Sequence, residues 1–302
     1  MRKIIYYLKK PKLLLCAILK TRIFNFIPDK LFLEVYYKLI TGKKLDLENP
    51  VSYNEKLQWL KIYDRKNIYT IMVDKYEAKQ YVANIIGKEY IIPTIGVYNK
   101  FEEIDFNKLP NRFVIKCTHD SGGLVIVKDK KTIDINLIRR KINKCLRKNY
   151  YNSSKEWPYK NVKPRIIIEK YMEDNNNISM RDYKFFCFNG VPKLMYLSEG
   201  LEDHSTARMS FYDMNFDISD CKRADYKQLE YVPKKPKTFE KMKEFASLLS
   251  HNIPHLRVDF YEINGKLYFG ELTFFTCSGF IPFEKEKWNK KLGEWIKIPL
   301  NK

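Results

Sequence analysis

Apolar and polar residues alternate from Phe113 to Thr118, and a solid apolar run follows from Leu124 to Val127. Phe113, Ile115 and Cys117 interleave with Val114, Lys116 and Thr118. This period of two in β-forming residues predicts a strand with two faces, a Ser121-Gly122-Gly123 connection, and a second strand. Lys116 then lies on a sheet face, where an unpaired ammonium is costly, so it requires an anion. The same patterning predicts strands over 90–98 and 165–172, a hairpin over 181–198 turning at Asn189-Gly190, and a final hairpin over 255–273. Helical spacing marks 49–64, with Ser52 and Glu55 as a capping box. It also marks a helix that Asp74 caps, Glu77 answers and Gly87 ends, and further helices near 132–150 and 237–250. Residues 199–236 are polar, proline-marked and irregular in pattern. Helices alternating with antiparallel hairpins put the fold in the α+β class.

Composition narrows the picture. The 302 residues can bury a substantial core, and 45% hydrophobic with 30% charged residues describes a globular chain. The formal net charge of +20 admits two readings, a lysine-rich surface or a polyanionic partner such as a nucleotide, an acidic glycan, an anionic membrane or nucleic acid. Six cysteines with no C-x-x-C pair, beside four histidines, make a poor zinc site and read as reduced residues of a cytoplasmic protein. Leu13–Leu19 is too short an apolar run to span a bilayer, and Lys20-Thr21-Arg22 does not suit a signal-peptide cleavage site. The basic, aromatic stretch 1–44 either packs its helices on the rest of the protein or lies on anionic lipid, a peripheral contact at the inner face of the membrane.

Chemistry concentrates in three places. Gly122 and Gly123 join strand to strand, unlike a Walker or Rossmann turn, and such a hairpin can fold over nucleotide phosphates with Lys116 supplying a cation. In the last hairpin Arg257, Asp259 and Glu271 interrupt apolar strands. A two-residue Asn264-Gly265 turn would send Asp259 and Glu271 to opposite faces. A three-residue Ile263-Asn264-Gly265 loop puts Arg257, Asp259, Glu271 and Thr273 on one face and Val258, Phe260, Tyr268 and Leu272 in the core, and the core pattern favours it. Two acids side by side call for a cation, either Mg²⁺ or Arg257 itself. The strand 165–172 ends in Glu169-Lys170-Tyr171, a possible seat for a flat base. Asp182 and Lys184 share a face of the next strand.

In this order these pieces resemble the ATP-grasp superfamily. The stretches NPVSYNEKLQWLKIYD, DKYEAKQYV, FVIKCTHDSGG, DYKFFCFNG and RVDFY…YFGELTFF look like its TupA-like branch, of teichuronopeptide biosynthesis, over about residues 28–283. The resemblance implies two α+β subdomains clasping ATP behind a helical N-terminal region, drawn at 1–72, 73–170 and 171–302. It implies Lys75 and Lys116, with Ser121, Gly122 and Gly123, at the ATP phosphates. Glu169, Lys170 and Tyr171 would be at the adenine and Asp182 at the ribose, with Lys184 a second phosphate contact. Asp259 and Glu271 would ligate Mg²⁺, with Arg257 at the transferring phosphate. Thr273 stands where most ATP-grasp enzymes have an Asn metal ligand. His119, next to Asp120, departs from the usual loop and would reach the acceptor or the γ-phosphate, or cap the turn.

The activity implied is ATP- and Mg²⁺-dependent ligation of a carboxylate to an amine through an acyl phosphate, in cell-surface polysaccharide assembly. The substrates would be an acidic glycan or sugar carboxylate and an amino acid or amino sugar. A glycosyltransferase and an ATP-dependent sugar kinase are the alternatives, although the chain has no Asp-x-Asp triplet and no His-Arg-Asp or Asp-Phe-Gly set. A basic adaptor for nucleic acid or membrane accounts for the charge but not for acids and a lysine set in apolar strands, and no nucleic-acid partner is expected. Residues 199–236, with His204 and Arg208, are the candidate acceptor lining.

Overall fold

A computed structural model describes residues 11–120, 122–174, 180–200 and 206–299. Two antiparallel sheets organise it. The smaller holds β1 (Thr94–Tyr98), β2 (Phe113–Cys117), β3 (Leu124–Val127) and β4 (Ile166–Lys170) in the order β1-β4-β2-β3. The larger holds β5 (Asp182–Phe188), β6 (Val191–Glu199), β7 (Arg208–Tyr212), β8 (His255–Ile263) and β9 (Lys266–Thr273) in the order β7-β6-β5-β8-β9.

Each sheet builds its own core on one face. In β2 the alternation works as the sequence demands: Phe113, Ile115 and Cys117 are buried against Ile138, Ile142 and Cys145 of α6 (Ile135–Leu146) and against Ile166 and Ile168 of β4. Phe185, Val258, Phe260, Leu267, Phe269 and Leu272 of the larger sheet face α8 (Phe239–Leu249), whose Phe239 ring centroid lies 5.7 Å from that of Phe185. Full burial of such an aromatic is worth about 1.5–3 kcal/mol. The other face of the larger sheet is divided. Its Phe186–His255 end is covered by Tyr53 at the start of α3 (Tyr53–Tyr63), whose hydroxyl sits 2.9 Å from His255 Nε2. Its other end carries the charged residues.

The helices follow their caps with one exchange. Ser52 and Glu55 form the expected reciprocal box on α3. At α5 (Glu77–Ile86), Asp74 Oδ1 accepts the Tyr76 N–H at 2.8 Å and the Glu77 N–H at 3.3 Å, but the Glu77 side chain does not reach back. Glu77 turns to Arg165 Nη2, 2.8 Å away, and Asp74 Oδ2 takes the same nitrogen at 2.8 Å. A charged partner outcompetes a backbone N–H for the glutamate. The helix α4 (Ile68–Val73), just ahead of Asp74, was not anticipated. The remaining helices are α1 (Pro11–Leu19), α2 (Asp29–Thr41), α7 (Tyr151–Ser154) and α9 (Glu286–Trp295). Buried residues of α2 through α5 join the larger core.

Two expectations are corrected. Residues 199–236 are not wholly irregular, because Arg208–Tyr212 forms β7, the edge of the larger sheet. The final hairpin does not turn through three residues: Ile263 pairs with Lys266, and Asn264 (φ 52°) and Gly265 (φ 74°) make a two-residue turn. A bulge then shifts the register, so that Phe260 pairs with Phe269 but Asp259 pairs with Glu271. Gly270 is the extra residue. A Cβ there would stand 3.0 Å from the Asp259 carbonyl oxygen and 3.0 Å from the Tyr261 ring, so the bulge needs glycine. Asp259 and Glu271 therefore share a face, as expected, but through a bulge and not the loop. The core consequence differs: Leu267 and Phe269 are buried in place of Tyr268, which pairs with Tyr261.

Candidate active site

Lys116 finds its anion inside the protein. Val114 pairs with Glu169 across β2 and β4, so Lys116 and Glu169 rise from the same sheet face, and their charges meet at 2.6 Å. Lys79 of α5 is ion-paired to the other oxygen of the carboxylate. Lys79 Nζ also donates to the Ile92 carbonyl at 2.7 Å and to Thr94 Oγ1 at 3.0 Å. Glu169 is only 4% exposed; burial pushes its carboxyl up, but the two lysines outweigh this and hold it below the usual carboxylate value. Burial likewise lowers the Lys116 ammonium, and Glu169, Glu271 and Asp182 reverse this into a net rise.

On the larger sheet Asp259 plays the matching part. It is 1% exposed, with Arg257 Nε and Nη2 donating to its two oxygens at 2.7 Å each and Lys184 Nζ donating to Oδ2 at 2.7 Å. Burial opposes ionisation, yet these two cations keep the Asp259 carboxyl below its ordinary value. Asp182, on the same face of β5 as Lys184, is buried, and its Oδ1 has no hydrogen-bond partner although Lys184 Nζ stands 3.3 Å away. Burial pushes its carboxyl up, and Lys184 offsets that only in part. Glu271 differs from all of these: its side chain is 37% exposed and its nearest cation is Lys75, 3.9 Å away.

Lys75 ties the two sheets together. Its backbone N–H donates to Thr118 O at 3.0 Å, and its Nζ donates to Asp120 O at 2.6 Å, in the glycine-rich connection, while facing Glu271 of β9. In that connection Asp120 Oδ1 takes the Gly123 N–H at 2.9 Å and Gly123 O takes the Cys117 N–H at 2.9 Å. A Cβ on Gly123 would lie 2.6 Å from Cys117 Sγ, so only glycine lets the strands approach here. Gly122 has open space around it, with Asp120 Oδ2 nearest at 3.7 Å. A lysine face, a glycine-rich loop and an acid-bearing hairpin thus meet around Lys75.

A model of the TupA-like ATP-grasp family matches residues 55–297. The chain belongs to the TupA-like ATP-grasp family. No protein of curated function matches it. Among solved structures, it is similar to D-alanine–D-alanine ligase from Bacillus anthracis (18% identity, TM-score 0.39, 68% of this chain and 57% of that one). It is also similar to D-alanine–D-alanine ligase from Helicobacter pylori (15% identity, TM-score 0.44, 83% of this chain and 70% of that one). A third is phosphoribosylamine–glycine ligase from Thermotoga maritima (14% identity, TM-score 0.38, 68% of this chain and 48% of that one). The chain spans a little over half the length of the Bacillus anthracis enzyme it matches.

In this ATP-grasp protein the expected site residues divide into two sets. Lys75, Lys116, Glu169, Asp182, Lys184, Arg257, Asp259 and Glu271 form one linked group of charges. Thr273 is there too, but its hydroxyl oxygen accepts from Arg257 Nη2 at 2.9 Å. His119 is elsewhere: it is 2% exposed, on the α6 side of the connection, with Nε2 3.2 Å from the Cys145 carbonyl oxygen and Nδ1 without a partner. It is thus packed against α6, with Nε2 directed to Cys145 and not to Lys75, Lys116 or Glu271. Lys170 is exposed and its backbone N–H goes to Pro93 O at 3.0 Å. Tyr171 is half-buried beneath the Arg112 guanidinium, 6.0 Å from its ring centroid. Ser121 and His204 lie outside the described residues, and Arg208 pairs with Glu230 at 2.6 Å beside β7. A cavity of about 390 Å³ opens beside Gly122, lined by Lys20, Asp120, Lys148 and Asn149 among others; it does not reach Lys116, Asp259 or Glu271.

The donor set suits Mg²⁺ only in a shared arrangement. Among the described residues no three His, Cys, Asp or Glu side chains group so as to hold a metal alone. Mg²⁺ usually takes one or two carboxylates and completes its shell with phosphate oxygens and water. Half-buried Glu271 opposite Asp259, with Asp182 on the same sheet face, fits that pattern.

Two groups escaped the sequence reading. Lys79 was legible as the residue one helical turn beyond Lys75. Lys61 is fully buried on α3 and donates to Gln58 Oε1 at 3.0 Å, Ser154 O at 2.9 Å and Ser278 O at 2.8 Å. Burial drives its ammonium down to about 7, against the pull of Glu156. Burial raises Glu156 in turn, and Glu271 adds to that rise, although Ser278 Oγ at 2.7 Å and Ser154 Oγ at 2.9 Å donate to it. Lysine on the apolar side of a helix, beside Leu57 and Leu60, was the available signal.

Proposed function

We propose that this TupA-like ATP-grasp protein is an ATP- and Mg²⁺-dependent carboxylate–amine ligase of cell-surface polysaccharide assembly. Its substrates would be an acidic glycan or sugar carboxylate and an amine. The observation that carries the reading is Lys75, whose ammonium holds the Asp120 carbonyl of the glycine-rich loop at 2.6 Å and faces Glu271 at 3.9 Å. Phosphate-binding and metal-binding chemistry thereby fall within one side chain's reach. The net charge of +20 supports an acidic partner, and the family match supports ATP.

Bound ATP with Mg²⁺ would supply the phosphoryl group that converts a carboxylate into an acyl phosphate, whose carbonyl the amine attacks with release of phosphate. The protein's own part is electrostatic. Lys75 and Lys116 would hold phosphate oxygens, with the Gly122 and Gly123 backbone against them. Glu271 and Asp259 would hold the metal, with Asp182 beside them. Arg257 and Lys184, fixed on Asp259, stabilise charge growing on the transferring group. Because these donors are already oriented, little reorganisation accompanies reaction. Glu169 is assigned to positioning Lys116 and Lys79 more than to the base, which would lie against the half-buried Tyr171 and the backbone at Lys170. The subdomain boundary is placed between 73–170 and 171–302, where β4 ends and the chain passes to β5.

The test is to incubate the protein with ATP, Mg²⁺, a uronate-containing glycan and amino acids. ADP release with a hydroxamate formed on adding hydroxylamine is expected. ADP release with a phosphorylated sugar and no hydroxamate would make it a kinase, and stabilisation by a UDP-sugar but not by ATP would make it a glycosyltransferase.

A further inference from the structure

Residues 11–44 present an apolar surface that the ligase chemistry does not use. Phe26 and Ile23, in the turn between α1 and α2, are 79% and 76% exposed. On α2, Leu31 and Val35 lie one turn apart and are 50% and 41% exposed, whereas Phe32, Leu33, Tyr36 and Tyr37 of the same helix are buried in the core. On α1, Leu15 is 49% exposed. The same stretch carries exposed lysines, Lys12, Lys30, Lys38 and Lys44. The two acids of this stretch, Asp29 and Glu34, are half-buried, and Asp29 is held by Arg65 at 2.6 Å and by Tyr151. A single stretch of chain thus joins protruding aromatic and aliphatic tips to exposed cations, with Asp29 already paired inside the protein.

We infer that residues 11–44 dock this protein on an anionic lipid surface, with Ile23 and Phe26 entering the headgroup–acyl boundary and the lysines facing lipid phosphates. Among the described residues no helix is long and apolar enough to cross a membrane, so the contact is peripheral. A soluble polyanion would satisfy the lysines and leave Phe26 and Ile23 in water. A second copy of the chain would set lysine against lysine. Lipid meets both demands, and the inference stands apart from the ligase reading.

The experiment is co-sedimentation of the full chain with vesicles of phosphatidylcholine, with and without phosphatidylglycerol. Binding to the anionic vesicles and not to the neutral ones is expected. Ile23→Asp/Phe26→Asp should weaken partitioning roughly tenfold or more, and Lys12→Glu/Lys30→Glu should weaken it comparably. Each variant should keep the parental melting temperature and the same ATP-induced shift, so a failure here leaves the nucleotide site untouched. The inference is overturned if the parent binds neither vesicle, or if the Ile23→Asp/Phe26→Asp variant binds as the parent does. A parental dimer that this variant dissolves would equally overturn it, by identifying a second copy as the occupant.

Discussion

Glu169 on the smaller sheet and Glu271 on the larger are both strand glutamates coupled to Lys116, and their surroundings separate their roles. Glu169 is 4% exposed and clasped by Lys79 and Lys116, so its charge is spent within the fold. Glu271 has a side chain 37% exposed and a single lysine 3.9 Å away. The same division recurs across the β8–β9 ladder: Asp259 takes three hydrogen bonds from Arg257 and Lys184, while its partner Glu271 is left open. Each sheet therefore uses one buried acid to fix the cations that will meet a ligand. Glu271 is the acid left open, while Asp259 would meet a metal only through oxygens it shares with Arg257 and Lys184.

Removing the saturated acid should do the most damage. Asp259→Ala strands Lys184 and Arg257 in a buried setting, and breaking such a pair costs about 3–5 kcal/mol. A large fall in melting temperature by calorimetry is expected. Glu271→Gln should move stability by no more than about 0.5 kcal/mol, as for an exposed residue, yet lower metal-dependent ADP release on the order of 100-fold. Equal stability losses in the two variants would erase the distinction.

Lys116→Met sharpens the comparison from the other sheet. It removes a charge-assisted contact worth about 1.5–3 kcal/mol, so ATP should bind at least roughly tenfold more weakly by calorimetric titration. Glu169 would keep Lys79 but lose half its clasp. Adding Glu169→Gln to Lys116→Met should lower stability further, because Lys79 then loses its buried carboxylate. ATP affinity should stay where Lys116→Met left it, which separates the structural share of the pair from its ligand share.

Acid should act on the saturated pair first. Glu169 and Asp259 both have carboxyls held below their ordinary values of 4.5 and 3.8, so the folded state binds fewer protons than the unfolded chain below those values. The stability they contribute is complete above about pH 4.5 and is lost as pH falls through their lower folded values, by up to about 1.4 kcal/mol per pH unit for each group. Denaturant midpoints measured down the acid limb should show this fall, and Glu169→Gln should flatten it.

Much of this arrangement was legible because it obeys local periodicity. The two faces of β2, the Ser52–Glu55 box and the Asn189-Gly190 turn follow from residue type and spacing alone. The partner of Lys116 was not legible, because Glu169 lies 53 positions away and only the β2–β4 pairing brings it near. His119 read as a reactive group because histidine in a glycine-rich loop invites that reading; which side of the connection it occupies depends on how α6 packs. The edge strand β7 was hidden by polar flanks, an edge needing fewer apolar residues than a central strand.

The closing hairpin offers the smallest and most pointed change. The core pattern favoured Asp259 and Glu271 on one face, and a three-residue loop was the device expected to achieve it. The protein instead pairs Ile263 with Lys266 and restores the face with the bulge at Gly270. Gly265, at φ 74°, serves only the turn, and a Cβ there meets nothing within 4 Å. Gly265→Ala should therefore cost about 1 kcal/mol for the left-handed backbone and leave ADP release at the parental rate. Were the turn to set the register of the acids, the same substitution would lower metal-dependent activity along with stability.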